Sequence, residues 1–272
     1  MAHIAINARH PIGRIQPRLY GSFLEHLGRC IYGGIWEEGS ALSDEQGYRR
    51  DVREAVRAIG VTQLRYPGGN FVSNYHWRDG VGPREDRPVR RELAWGGVET
   101  NRFGTHEFME YCAQVDAEPY MCVNLGTGAP EEAADWLEYC TSRRPTTIAR
   151  QRAANGHPRP FDVRLWGLGN EMYGTWQIGQ RTARDYALVA RETAAGAPAR
   201  GPGRPGPDRP GPGQAHRHRH RRVERVVSVD PPRGRRGRRV GRRGPTSIGT
   251  VSYAKDSLLN KVIISPKSAR LT

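Results

Sequence analysis

The first 196 residues alternate between apolar runs and amphipathic segments. Four segments are amphipathic and predict helices: 43–60, 105–117, 129–143 and 179–196. The runs that predict β-strands are QPRLYGSFLEH, VTQLRYPGG, EPYMCVNLGTG and FDVRLWGLGNE. Nearly continuous apolar strands that alternate with helices predict a parallel sheet covered on both faces, and hence an α/β fold. Four βα units that end on polar residues are typical of the first half of a (β/α)8 barrel, the TIM barrel.

The first predicted helix shows how its bounds are derived. Ser43 is a good N-cap residue, acidic residues follow it, and Gly60 is a typical residue just beyond a helix end. The segment between them therefore predicts one long helix. Its apolar face carries Val52, Ala55, Val56 and Ile59.

The alternating pattern stops after Gly196. Residues 197–244 contain 35 Pro, Gly, Ala or Arg among 48 positions, a composition that cannot bury a core and predicts disorder. Because codons built only of G and C encode those four residue types, we interpret this low-complexity tail as the product of a shifted reading frame. The last stretch, residues 245–272, differs again and holds all three lysines of the chain. The sequence therefore predicts two parts, residues 1–196 and residues 197–272.

The net charge of +15 belongs to the second part. Residues 1–196 carry 24 Arg and no Lys against 24 Asp or Glu, so the whole excess lies in residues 197–272. A basic tail of this kind is a candidate for non-specific contact with phosphates. It lacks interleaved aromatic residues on which bases stack, so nucleic acid is a disfavoured partner.

Other general features bear on location. No run of 18 or more apolar residues is present, so no membrane span is predicted. The N-terminal segment lacks the pattern of a secretory signal. The cysteines, which show no C-x-x-C spacing, are expected to be reduced thiols in a cytoplasmic protein; they are Cys30, Cys112, Cys122 and Cys140.

Polar residues follow each predicted strand, where a barrel of this type has its active site. Carboxylates and amides bind hydroxyl groups and an aromatic ring packs on a sugar face, so the set indicates a carbohydrate site. The strand ends and the long loop after the second strand supply Glu25, His26, Arg65, Asn70, Trp95, Glu99, Asn101, Asn124, Asn170 and Glu171.

Each of these residues also has a purely structural explanation. Glu171 is equally a capping or solvated carboxylate, and Arg65 a partner of a structural acid. Asn70 after Gly-Gly is equally a turn residue, Trp95 a core plug, and His26 a packed neighbour of the preceding glutamate. No H-E-x-x-H pattern, dinucleotide fingerprint or G-x-S-x-G elbow occurs. Neither a metal nor a cofactor is therefore predicted.

Five blocks carry a family resemblance: LYGSFLEHLGRCIYGGIWEEGS, LRYPGGNFVSNYHWRDGVGPREDRP, LAWGGVETNRFGTHEFMEYC, CVNLGTGAPEEAADWLEYC and WGLGNEMYGTWQIG. In this order and spacing, over about residues 15–196, they closely resemble α-L-arabinofuranosidases of glycoside hydrolase family 51. The resemblance implies a TIM-barrel catalytic domain of which residues 1–196 are the N-terminal part, followed by a β-sandwich. It also implies cleavage of terminal α-L-arabinofuranosyl groups from arabinose-containing oligosaccharides with retention, and a homo-oligomer for intact members.

The resemblance also implies roles. Glu171 falls on the family's general acid/base, and Asn170 on the residue that hydrogen-bonds the sugar 2-hydroxyl. The glycone pocket is then lined by Glu25, Arg65 and Asn70 and walled by Trp95.

Retaining hydrolysis needs a second carboxylate, the nucleophile, about 5–5.5 Å from the acid/base. In the family it comes from a seventh strand, and neither Glu192 nor Glu224 matches its motif, so none is assigned. We therefore expect the 272-residue chain to be poorly folded, with little or no glycosidase activity. Two alternatives stay open: a non-catalytic fragment whose tail binds nucleic acid, and a retaining glycosidase for another sugar, such as a xylan- or glucan-active one.

Overall fold

The computed structural model describes residues 13–196 and, in the remainder of the chain, only the strand residues 252–253 and 262–264. These residues belong to one compact unit. The predictions of disorder and of a shifted reading frame for residues 197–272 thus lie outside the described residues, apart from the two short strands.

A sheet with four neighbouring parallel strands forms the centre of the described unit. The parallel strands lie side by side in the order β1-β2-β5-β6. At the β6 edge, β8 pairs antiparallel with β6, and β7 pairs antiparallel with β8. A separate antiparallel hairpin is made by β3 and β4. The strands are β1 (Ser22–Phe23), β2 (Gln63–Tyr66), β3 (Arg90–Arg91), β4 (Val98–Glu99), β5 (Glu118–Val123), β6 (Leu165–Leu168), β7 (Ser252–Tyr253) and β8 (Val262–Ile264). The predicted parallel α/β fold is confirmed.

Five α-helices accompany the sheet in the described residues. The third helix packs against the fourth and the fifth, and the first packs against the second. Their bounds are α1 (Arg50–Ala58), α2 (Thr105–Val115), α3 (Pro130–Thr141), α4 (Thr147–Ala154) and α5 (Ala183–Gly196). Local sequence explains their starts: Glu107 of α2 accepts a hydrogen bond from the Gly104 N–H at 2.9 Å, and α3 opens on Pro130 followed by two acidic residues.

Aromatic side chains hold the helices on the sheet. The ring of Tyr66 in β2 stacks on Phe108 of α2 with centroids 4.7 Å apart. Trp136 of α3 meets Trp166 of β6 edge to face at 5.7 Å. All four are buried, and each such ring contributes roughly 1.5–3 kcal/mol through burial. The carboxyl ends of the strands are thereby fixed relative to one another.

The structure corrects the start of the first helix, which lies at Arg50 and not at Ser43. Asp44 uses its carboxylate to accept the Tyr48 N–H at 2.9 Å, and Gly47 reverses the chain with a φ of 98°. Residues 43–49 therefore form a closed loop before the helix. Among the α-helices and strands of residues 13–196, two features were not predicted: α4, which is capped by the Thr146 hydroxyl, and the β3–β4 hairpin. The short strands β7 and β8 were not predicted either.

Candidate active site

The carboxyl ends of β1, β2 and β6 bring predicted site residues to one edge of the sheet. Register pairs Phe23 of β1 with Arg65 of β2, and Glu25 follows two residues later. On β6, Asn170 follows two residues after the strand ends at Leu168. Because parallel strands end at the same edge, side chains about 100 residues apart in sequence are neighbours there.

Glu25 is enclosed by the glycine turn that follows β2. Its side chain is buried, and its Oε1 accepts a hydrogen bond from the Phe71 N–H at 3.2 Å. A Cβ on Gly68, whose φ is 142°, would lie 2.4 Å from Glu25 Cγ, and one on Gly69 would lie 3.3 Å from both carboxylate oxygens. The Pro-Gly-Gly sequence is therefore needed for the chain to pass Glu25 and deliver Asn70 beside it.

Arg65, Asn170 and Asn70 form a hydrogen-bonded chain. The Nη2 of Arg65 donates to Asn170 Oδ1 at 3.0 Å, and Asn170 Nδ2 donates to Asn70 Oδ1 at 3.4 Å. A guanidinium only donates hydrogen bonds, so it fixes which end of the Asn170 amide faces it. The Asn70 side-chain oxygen is thereby engaged by Asn170.

Arg65 is a buried cation whose hydrogen-bonding capacity is only partly used. Its Nε and Nη1 have no hydrogen-bond partner among the described residues. Burial lowers the pKa of Arg65, but Cys122, Tyr120 and Glu25 outweigh it and hold the pKa above its usual value. The Phe23 ring lies 5.0 Å from the guanidinium carbon. The site therefore offers a fixed positive charge with two nitrogen atoms, carrying three N–H groups, that require acceptors.

Glu171 lies on a strained turn directly after Asn170. Its φ of 43° places a non-glycine residue in the left-handed region, at a cost of about 1–2 kcal/mol. The Gly174 N–H donates to the Glu171 carbonyl at 2.7 Å, and the Trp176 indole N–H donates to its carboxylate at 3.2 Å. Strain of this kind concentrates at functional sites, where it aims a side chain. The Glu171 carboxylate is half-buried, and Glu171 follows β6 at the edge of the sheet where β1 and β2 also end.

Trp95 occupies the turn of the β3–β4 hairpin and is 46% exposed. Its backbone N–H and that of Ala94 donate to the carboxylate of Glu92. Among the described residues no hydrogen bond joins Trp95 to the Arg65–Asn170 chain. Its role as a wall of the pocket therefore stays a prediction.

The comparisons with known proteins bear on the family and the fold of the chain. The family model described as "Alpha-L-arabinofuranosidase 1 domain" matches residues 55–187. A relative from Aspergillus clavatus, "Probable alpha-L-arabinofuranosidase C", is 51% identical over 191 residues, which are 70% of this chain. The solved GH51 α-L-arabinofuranosidase of Thermotoga petrophila is 60% identical over 65% of this chain, with a TM-score of 0.65. The chain belongs to glycoside hydrolase family 51.

The chain covers only part of the length of its family 51 relatives. It spans 38% of the Aspergillus protein and 37% of the Thermotoga petrophila chain. A third relative, the "Intracellular exo-alpha-(1->5)-L-arabinofuranosidase" of Streptomyces lividans, is 50% identical over 195 residues, which are 71% of this chain and 30% of that protein. The likeness therefore concerns the N-terminal portion of family 51 enzymes.

A buried His–Glu pair next to the candidate site joins two segments that the sequence did not connect. His26 Nδ1 lies 2.8 Å from Glu99 Oε2, and the Tyr32 hydroxyl donates to the same carboxylate. Burial raises the pKa of Glu99, but His26 and Tyr32 outweigh it and hold the pKa below its usual value. The pair ties the segment after β1 to the hairpin that carries Trp95. No local sequence signal links residues so far apart.

The described part of the chain contains no group of three or more His, Cys, Asp or Glu side chains able to hold a metal ion. Within the same residues, no helix combines the length and the apolarity that crossing a bilayer requires. The four cysteines are free thiols.

Proposed function

We propose that this chain supplies the acid/base half of a retaining α-L-arabinofuranosidase active site. The substrate class is terminal, non-reducing α-L-arabinofuranosyl groups of arabinose-containing oligosaccharides and polysaccharides. The observation that carries the proposal is the hydrogen-bonded chain from Arg65 through Asn170 to Asn70, with Glu171 on the next position. The names of the family 51 relatives support the choice of sugar.

In the proposed mechanism, Glu171 donates a proton to the leaving glycosidic oxygen and then activates water. The left-handed turn and the Trp176 N–H hold its carboxylate in place. The amide N–H groups of Asn70 and Asn170 bind sugar hydroxyls, and Glu25 accepts from another hydroxyl. Planar groups fixed by neighbouring strands discriminate hydroxyl positions without rearranging during the reaction.

The nucleophile is the part that the described residues do not supply in a recognisable motif. Glu192 lies on the exposed side of α5, and Glu224 lies outside the described residues. By family resemblance, the four parallel strands are the first four of a (β/α)8 barrel and the nucleophile comes from a later strand. The unpaired Nε and Nη1 of Arg65 fit this proposal, because each requires an acceptor such as a carboxylate oxygen or a sugar hydroxyl.

A cytoplasmic location is part of the proposal. The Streptomyces lividans relative is named as intracellular, and four free thiols are compatible with a reducing compartment. A homo-oligomer, expected from the resemblance, is likewise kept as a proposal.

The test measures hydrolysis of aryl α-L-arabinofuranosides with good and poor leaving groups by the wild-type chain and by Glu171→Gln. Because no nucleophile is assigned in this chain, only a low residual activity is expected, and the comparison concerns how that activity depends on Glu171. An acid/base role predicts a loss of about 10²–10⁴-fold on the poor leaving group and a much smaller loss on the good one. Equal losses on both would refute that role.

Binding is tested separately, because turnover also requires the nucleophile. Saturation-transfer NMR with methyl α-L-arabinofuranoside, and with the matching xyloside and glucoside, measures sugar choice without hydrolysis. The proposal predicts a signal for the arabinofuranoside that Asn170→Ala abolishes. Equal signals for all three sugars would favour a glycosidase of another specificity, and no signal for any would contradict a sugar site.

A further inference from the structure

Three loops of the sheet edge pack backbone to backbone immediately behind Asn70. A Cβ on Gly126, in the loop after β5, would lie 2.4 Å from the Ser73 carbonyl oxygen and 2.6 Å from that of Ile178. A Cβ on Gly179, in the loop after β6, would lie 2.5 Å from Gly126 Cα. The loops after β2, β5 and β6 therefore meet at one junction, where their backbones approach closely at Gly126 and Gly179.

Gln177 is the side chain that crosses this junction. It is 4% exposed, and its Nε2 donates to the Ser73 hydroxyl and, at 3.5 Å, to the Asn70 carbonyl. Both acceptors belong to the segment that begins with Asn70, although Gln177 lies more than 100 residues further along the chain. A buried primary amide is costly unless its hydrogen bonds are made, so these contacts oppose replacement by a simple apolar residue.

We propose that Gln177 is a positioning residue for Asn70. Its two donated hydrogen bonds hold the Asn70–Asn74 segment against the turn that carries Asn170 and Glu171. The Asn70 side chain is thereby kept within reach of the Asn170 amide, 3.4 Å away. The inference rests on the proposed function for what the two asparagines bind, whereas the contacts themselves are independent of it.

The donors of Gln177, and not its size or its acceptor, carry this effect. Its Oε1 has no hydrogen-bond partner among the described residues. A methionine has nearly the same length and shape but no donor, so Gln177→Met removes the two hydrogen bonds and little else. Gln180→Met is the matched control: Gln180 lies on the same loop, is exposed, and donates to the Tyr173 carbonyl at 3.1 Å.

The experiment measures the side-chain amide signals of Asn70 and Asn170 by ¹⁵N–¹H NMR on the full 272-residue chain. Each signal is assigned by its loss in Asn70→Ala or Asn170→Ala. Positioning predicts that Gln177→Met shifts both signals and that Gln180→Met leaves both in place. Unshifted signals in Gln177→Met, with only a lower Tm, would overturn the proposal and leave Gln177 as an ordinary core residue.

A second variant keeps the test decisive if Gln177→Met does not fold. Ser73→Ala removes an acceptor from the other side of the junction and is a smaller change. It should shift the same two asparagine signals, and unchanged signals would overturn the proposal.

Sugar binding gives a readout that a merely structural role does not move. Saturation-transfer NMR with methyl α-L-arabinofuranoside should show binding that is several-fold weaker for Gln177→Met than for Gln180→Met, because Asn70 is displaced in the first variant alone. Equal binding by the two variants would contradict positioning of Asn70. Absence of binding in wild type would count against the proposed function, while the asparagine signals still decide the role of Gln177.

Discussion

Gly68 makes the sharpest stability prediction, because the structure shows two separate penalties for any side chain there. Its φ of 142° is a conformation that alanine avoids, at a cost of about 1–2 kcal/mol. The added Cβ would also lie 2.4 Å from Cγ, 2.8 Å from Cβ and 2.9 Å from Cα of Glu25. The last of these is a backbone atom, so relief requires movement of the chain that follows β1, and overpacking of this kind costs about 1–3 kcal/mol. We expect Gly68→Ala to lower the free energy of unfolding by about 2–5 kcal/mol.

Two other glycines separate the contributions. Gly96 has a φ of 77° with nothing within 4 Å of an added Cβ, so Gly96→Ala should lose only about 1–2 kcal/mol. Gly97 has neither a positive φ nor a near neighbour, so Gly97→Ala should be neutral or slightly stabilising, by about 0.4–1 kcal/mol. Urea unfolding followed by circular dichroism measures all three. If Gly68→Ala loses no more stability than Gly96→Ala, the inferred close packing against Glu25 is wrong.

Two buried or half-buried ion pairs give further predictions. Glu107→Gln should lower the free energy of unfolding by about 3–5 kcal/mol, because Arg87, hydrogen-bonded to Glu107 at 3.0 Å, is left as an unpaired buried charge. In wild type, burial raises the pKa of Glu107, but the interaction with Arg87 outweighs burial and holds the pKa below its usual value. The contribution of this ion pair to the free energy of unfolding should therefore be lost as the pH falls through the lowered pKa. The exposed Glu131→Gln is the control. The hydrogen bond to Glu132 raises the pKa of His76. The His76–Glu132 pair therefore stabilises the fold at low pH, and this stabilisation is lost as the pH rises through the raised pKa. Urea titrations from pH 5 to 9 should show this loss of stability, and in Glu132→Gln the pH dependence should be absent.

The parallel strands could be predicted because each is an apolar run between helical segments. β5 and β6 are buried along most of their length, and a strand covered on both faces shows no alternation that would confuse it with a surface strand. The position of Asn170 and Glu171 follows from the end of β6. The direction of each parallel strand, and the edge of the sheet at which its polar residues lie, can therefore be predicted from local sequence.

Elements that depend on polar contacts were not predictable in the same way. The helix α4 has a polar sequence without an apolar stripe, and its one local signal is the Thr146 cap. The loop before α1 is decided by Asp44, which bonds the Tyr48 N–H where a helix would have used Ser43 as its cap. In both cases a side-chain hydrogen bond to a backbone N–H decides the local structure, and the periodicity of apolar residues carries no signal of such a bond.

The geometry of the site depends on contacts between residues about 100 positions apart, and this is why sequence alone yields its members but not their orientation. Arg65 reaches Asn170 across 105 residues, and Gln177 reaches Ser73 across 104. The guanidinium dictates the direction of the Asn170 amide, and that amide in turn engages the Asn70 oxygen. The same guanidinium keeps its Nε and Nη1, which together carry three N–H groups, without acceptors in the described residues. Because a buried cation with unmet donors is costly, this arrangement favours a ligand that brings acceptor oxygens to Arg65, such as sugar hydroxyls or a carboxylate.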